Sequence, residues 1–236
     1  MLGQTWAIIK ISYNPGTEQA VGGICGTVFF VNQKQFISAH HCFNNSVFPP
    51  NPGYSKVKVF LANESGRIIE NISLEKSVPE YDLAIGRLNS KENIDVLPAG
   101  NDFKVGDSVY NIGFPVTESL VSMPLSFVNG NLVVESVTVK AFRQDGIIEA
   151  VPIVNISAID IKTVGKQMIK LSYTSRTGFS GGPLILAGSS KVIGMMSLVV
   201  PCTTKTAPQE SASQRVQGRP APFAMAVRME DISLFI

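Results

Sequence analysis

The segment Thr177-Gly178-Phe179-Ser180-Gly181-Gly182-Pro183-Leu184 sets one serine among three glycines. Glycine takes backbone conformations that other residues avoid and lets a second backbone approach closely. Neighbouring N–H groups in such a segment can be aimed at an oxygen on which negative charge develops, so the chemistry that suits this pattern is nucleophilic attack by Ser180. A glycine-rich hairpin turn would use the same letters. A nucleophilic serine also needs a base, and the chain holds only two histidines, His40 and His41, in Phe36-Ile37-Ser38-Ala39-His40-His41-Cys42.

Chain order narrows the arrangement. Gly178 to Gly182 satisfies G-x-S-x-G, the nucleophile elbow of α/β-hydrolases, but there the histidine follows the serine, and both histidines here precede it. The subtilisin order needs an aspartate ahead of the histidine, whereas the first aspartate in this chain is Asp82. Histidine, then aspartate, then serine remains, the chymotrypsin order. The run from Phe36 to Cys42, an apolar strand entering Ser-Ala-x-His-Cys, resembles the strand-to-turn motif of the chymotrypsin-like serine proteases. His41, directly before the cysteine, matches that family's general base. Tyr81-Asp82-Leu83-Ala84-Ile85-Gly86-Arg87-Leu88 resembles the family's Asp-x-Ala-x-x-x-Leu segment, in which a desolvated carboxylate orients the histidine. Val105 to Pro115 is similar to the opening strand of the second barrel in bacterial proteases of the high-temperature-requirement type. Gly194-Met195-Met196-Ser197 and Phe223-Ala224-Met225-Ala226 resemble the substrate-pairing and closing strands.

The resemblance implies an all-β fold of two six-stranded antiparallel β-barrels, residues 1–100 carrying His41 and Asp82, residues 101–236 carrying Ser180 and the specificity pocket. It implies a serine endopeptidase with a His41-Asp82-Ser180 triad, an oxyanion hole made by the N–H groups of Gly178 and Ser180, a protein or peptide substrate, and no metal or organic cofactor. Thr174, six residues before the nucleophile, takes the place of the pocket base. Ser197 and Val199 lie on the substrate-pairing strand, with Val199 narrowing the pocket mouth. These residues favour small or medium uncharged side chains, while Arg176 offers an acidic alternative. The family's disulfide falls on Cys25 and Cys42 in an oxidising compartment, which leaves Cys202 as a free thiol. Phe179 stands where many relatives carry an aspartate that pairs with a freshly cut N-terminus, so control is expected from the loop Pro201–Pro222, a regulatory partner or flanking domains. The alternatives are a zinc site from Cys25, His40, His41 and Cys42, Asp160 in place of Asp82, a silent barrel used for binding, and an esterase on the same fold.

These residues need a rigid frame, and the rest of the chain supplies the signals for one. Short runs rich in β-branched and aromatic residues recur at Ala7–Ile11, Gly26–Val31, Gln35–Ser38, Lys56–Leu61, Arg67–Leu74, Ser108–Ile112, Leu132–Val139, Ile147–Ile156, Met168–Tyr173 and Lys191–Val199. Turn-forming clusters such as Asn14-Pro15-Gly16 and Asn129-Gly130-Asn131 separate them. Such spacing predicts a sandwich or barrel, with a short helix over Met229–Phe235. Polar residues from Asn89 to Asp102 mark a connection between two halves.

With 236 residues and 44% hydrophobic content the chain can bury a substantial core. A net charge of +2, from 16% charged residues, gives no concentrated basic surface, which argues against a nucleic-acid partner. The apolar runs stop well short of the roughly 20 residues that span a bilayer as a helix, so a soluble protein is expected. The N-terminus lacks a charged run before its apolar residues, so it does not read as a signal peptide, and the expected setting is cytoplasmic or that of a trimmed secreted form.

Overall fold

A computed structural model describes residues 4–43, 49–89, 93–158, 161–200 and 223–236. Two large antiparallel sheets dominate it. The first contains β1 (Thr5–Asn14), β2 (Gln19–Phe30), β3 (Gln35–Ala39), β4 (Lys56–Ala62), β5 (Ile68–Ile69), β6 (Ile72–Val78) and β7 (Leu83–Leu88), in the order β5-β4-β1-β2-β3-β7-β6. Strand β1 lies between β2 and β4 and is buried on both faces from Thr5 to Ser12, which explains its near-continuous apolar run. Its register with β2 slips between Ile8 and Ile9, leaving Cys25 as the extra residue between Gly26 and Ile24. On β3 and β7, Phe36 faces Gly86, whose missing side chain makes room for the phenyl ring.

The second half contributes β8 (Ser108–Gly113), β9 (Leu120–Ser122), β10 (Leu125–Val128), β11 (Asn131–Val134), β12 (Thr138–Val139), β13 (Phe142–Ala150), β14 (Ile153–Ala158), β15 (Ile161–Leu171), β16 (Pro183–Leu186), β17 (Val192–Val200) and β18 (Phe223–Arg228). Six of these run β13-β8-β16-β17-β18-β15, and pairing of β13 with β15 at Ile148 and Leu171 closes them into a ring. The ring is the expected six-stranded barrel, and β14 extends it outward from β15. The first sheet departs from the expected six. The run Arg67–Leu74 divides where Ile72 N–H turns back to Glu70 O, giving a two-residue β5 and a separate β6, and no pairing joins those edges among the described residues. Asn129-Gly130 forms the tight β10–β11 turn with positive φ at both residues, as a type I′ hairpin requires. The expected terminal helix is the four-residue α1 (Met229–Ile232).

One core cluster fills the first sheet with Trp6, Phe29, Phe30, Phe36 and Phe60 and continues into Ile112 and Phe114 of the second half. A smaller one lies inside the ring, where Val109, Ile148, Ile169, Leu184, Ile193 and Ala226 come from all six of its strands. Each large apolar side chain buried in this way contributes about 1.5–3 kcal/mol. Among the described residues no helix is long and apolar enough to cross a membrane.

Candidate active site

His41 sits in a single 3₁₀ turn, His40–Cys42, that ends β3. Asp82 lies one residue before β7, at the end of a 3₁₀ turn that Pro79 opens. Its φ of 49° is in the left-handed region, uncommon for a residue with a side chain. That backbone is held from two sides, because Asp82 N–H donates to Pro79 O at 3.0 Å and Asp82 O accepts from His40 N–H at 2.8 Å.

The carboxylate of Asp82 is fully buried and accepts three hydrogen bonds. His41 N–H donates to Oδ1 at 3.1 Å, the His41 Nδ1 proton is shared between Oδ1 and Oδ2 at 3.0 and 2.9 Å, and Ser197 Oγ donates to Oδ2 at 2.6 Å. Burial of the imidazole opposes its protonation, but the hydrogen bond to Asp82, reinforced by Cys42 beside it, outweighs burial and raises the His41 pKa well above 6.5. His40 turns the other way, onto Ser77 Oγ. Among the described residues no three His, Cys, Asp or Glu side chains cluster as metal ligands.

Ser180 lies between β15 and β16, and Cys42 Sγ approaches its carbonyl oxygen at 3.6 Å, so the turn carrying His41 abuts the loop carrying Ser180. The Ser180 hydroxyl donates to Ser197 O at 3.2 Å and not to His41. Ser197 is the extra residue of a bulge in β17, between Met196 and Leu198. Its carbonyl therefore meets Ser180 while its hydroxyl meets Asp82. The sequence marked Ser197 only as part of a pairing strand, and nothing in Gly194-Met195-Met196-Ser197 announces the bulge that gives it the second role.

The peptide groups of the loop alternate. The carbonyls of Thr177, Gly178, Phe179 and Ser180 all accept hydrogen bonds, from Val116 N–H, Thr27 Oγ1, Gly182 N–H and Thr27 N–H respectively. Phe179 N–H donates to Arg176 O and Gly181 N–H to Met196 O, whereas the N–H groups of Gly178 and Ser180 donate to nothing among the described residues. In a trans peptide the N–H opposes the C=O, so anchoring the Thr177 and Phe179 carbonyls fixes where those two open N–H groups point. Glycine is required here on two counts. Gly178 has φ of 105° and a Cβ on it would strike the Phe114 carbonyl. Gly181 has φ of 83° and a Cβ there would strike Thr27 O and Ser38 Oγ. Phe179 is buried, with its ring packed on Gly113, so apolar packing anchors this position.

Thr174 is exposed, and its carbonyl accepts from Gln144 Nε2. Val199 pairs with Ala224, and its side chain lies outside the described residues, as do Asp160, Cys202 and the whole of Pro201–Pro222. Arg176 is engaged by Glu118 at 2.9 Å, which competes with the acidic-substrate alternative. Cys25 and Cys42 stand as free thiols in this structure, and the resemblance joins them only in an oxidising compartment. Burial, and secondarily Cys42, push the Cys25 pKa up to about 11. Cys25 and His41 share a cavity of about 410 Å³ with Lys10, Gly22, Ile24 and Asn51.

Among solved structures, the chain is similar to an HtrA-type protease, AlgW, with a decapeptide, at 17% identity and a TM-score of 0.60. A serine-to-alanine variant of AlgW with a tripeptide gives 17% and 0.58. Each likeness covers 99% of this chain but only 62% and 58% of the other, and at that identity it is a likeness of fold. No curated protein matches the sequence. The profile of the trypsin-like peptidase domain matches residues 26–195, most of the chain and all three of His41, Asp82 and Ser180. On that match the chain belongs to the trypsin-like peptidase domain family.

Proposed function

We propose that this protein is a serine endopeptidase in which Ser180 attacks the peptide carbonyl, His41 takes and returns the proton, and Asp82 orients His41. The observation that carries this is the buried Asp82 carboxylate hydrogen-bonded to His41 Nδ1, the arrangement that selects one imidazole tautomer and stabilises its cation. The open N–H groups of Gly178 and Ser180 would receive the oxyanion, each contributing on the order of 10²–10³ in rate. Residues 1–100 would then supply base and acid, and residues 101–236 the nucleophile, with Thr174, Ser197 and Val199 toward the substrate. A protein or peptide substrate follows from this chemistry, and control by a partner, a flanking domain or the Pro201–Pro222 loop belongs to the same proposal.

A second assignment, a silent barrel that binds without cleaving, is favoured by one observation, the donation of the Ser180 hydroxyl to Ser197 O in place of His41. Reaction with a fluorophosphonate probe separates the two. Labelling that disappears in Ser180→Ala and His41→Ala supports the peptidase. A folded, unlabelled parent protein supports the binder.

A further inference from the structure

Thr27 is fully buried on β2 in the first half, yet three of its four polar contacts lie in the second. Its hydroxyl donates to Gly178 O at 2.7 Å and accepts from Phe114 N–H at 3.2 Å, and its own N–H donates to Ser180 O at 2.9 Å. Its carbonyl oxygen accepts from Ser38 Oγ at 2.8 Å, two residues before the His41 turn. The residue therefore holds the carbonyls on both sides of Phe179.

We propose that Thr27 is a positioning residue for the oxyanion-binding N–H groups, acting through its hydroxyl; this rests on the peptidase assignment above. The peptide joining Gly178 to Phe179 lies between the two peptides whose N–H groups are open, and it is fixed at one end by Phe179 N–H on Arg176 O and at the other by Thr27 Oγ1. Losing the hydroxyl leaves two buried groups, Gly178 O and Phe114 N–H, without their partner at once. The Gly178–Phe179 peptide then rotates to find new partners, and because Gly178 carries no side chain to resist, that rotation strains the flanking peptides against their holds at Thr177 O and Phe179 O and pulls the open N–H groups out of line. Substrate recognition along β17 does not pass through this contact, so the loss falls on the reacting state and not on substrate binding.

Thr27→Ser and Thr27→Ala differ from each other by one oxygen and isolate the hydroxyl, and Thr27→Val supplies the isostere. The measurements are kcat and KM on a peptide substrate, and affinity for a peptide boronate, which becomes tetrahedral at the serine. Thr27→Ala and Thr27→Val are expected to lower kcat and boronate affinity together by about 10- to 100-fold, roughly a tenth of what deleting a whole donor costs. KM stays within about threefold, and Thr27→Ser restores both losses. If Thr27→Val does not fold, the serine and alanine pair still decides. Equal kcat in the serine and alanine variants, or a loss confined to KM, overturns the proposal. A parent protein that neither cleaves peptides nor reacts with fluorophosphonate overturns the peptidase assignment instead.

Discussion

Ser197 Oγ donates to Asp82 Oδ2 over 2.6 Å, a bond from a bulge in the second sheet to a carboxylate at the foot of the first. Two consequences follow. The bond satisfies a buried charge, and it fixes the strand segment whose carbonyl meets the Ser180 hydroxyl.

Ser197→Ala is therefore expected to destabilise the protein by about 1.5–3 kcal/mol, the ordinary contribution of a hydrogen bond to a charged group. Fluorophosphonate labelling of Ser180 should slow by roughly tenfold in the same variant. Urea unfolding and labelling rates check both, and an unaltered unfolding midpoint would contradict the buried bond.

The acid limb of the pH–rate profile should lie above pH 6.5. The proposed mechanism needs neutral His41, and Asp82 raises the pKa of that imidazole in spite of its burial, so protons leave it only at higher pH. Activity is thus low in mild acid and grows into the alkaline range. Asp82→Asn removes the stabilising charge, which moves the limb downward while lowering kcat by about 10⁴. A limb below 6.5 in the parent would show that burial outweighs the carboxylate.

Phe179 anchors the Ser180 loop by packing against Gly113. Phe179→Ala should cost about 3–5 kcal/mol in stability, as for other buried phenylalanines, and should depress labelling more than Phe60→Ala does, although both empty a core. Equal labelling losses in two equally folded variants would separate the loop from the ring that backs it.

Cys25 should resist alkylation. Its thiol is held up to about 11, first by burial and then by Cys42, so the reactive thiolate is scarce at pH 8. Peptide mapping after iodoacetamide is expected to find Cys25 modified far more slowly in the folded protein than in urea.

The parts of the site that could be read from the sequence are those set by steric necessity. Gly178 and Gly181 meet neighbouring backbone so closely that only glycine fits, and Asn129-Gly130 is dictated by two positive φ values. The His-Cys and Asp-Leu-Ala segments stood out through their resemblance to motifs of the chymotrypsin-like family. What stayed hidden depends on contacts far apart in sequence. Nothing in β2 marks Thr27 as the partner of a residue 151 positions away, and Ser197 gains its role from a one-residue bulge. Strands β7 and β16 carry no sustained apolar run, because one is interrupted by Gly86 and Arg87 and the other has only four residues. The split of Arg67–Leu74 into β5 and β6 comes from a local backbone bond that composition does not reveal.

Strand β18 is the last strand among the described residues, but it sits inside the second ring, hydrogen-bonded to β17 on one side and β15 on the other. A growing polypeptide released as far as Val200 already contains His41, Asp82 and Ser180, but its ring is split open between β15 and β17. Completion of the barrel must wait for Phe223 to Arg228, and this long-range pairing makes it a late step in folding. The residues proposed to cut would thus all be synthesised before the ring that holds Ser180 in place could close.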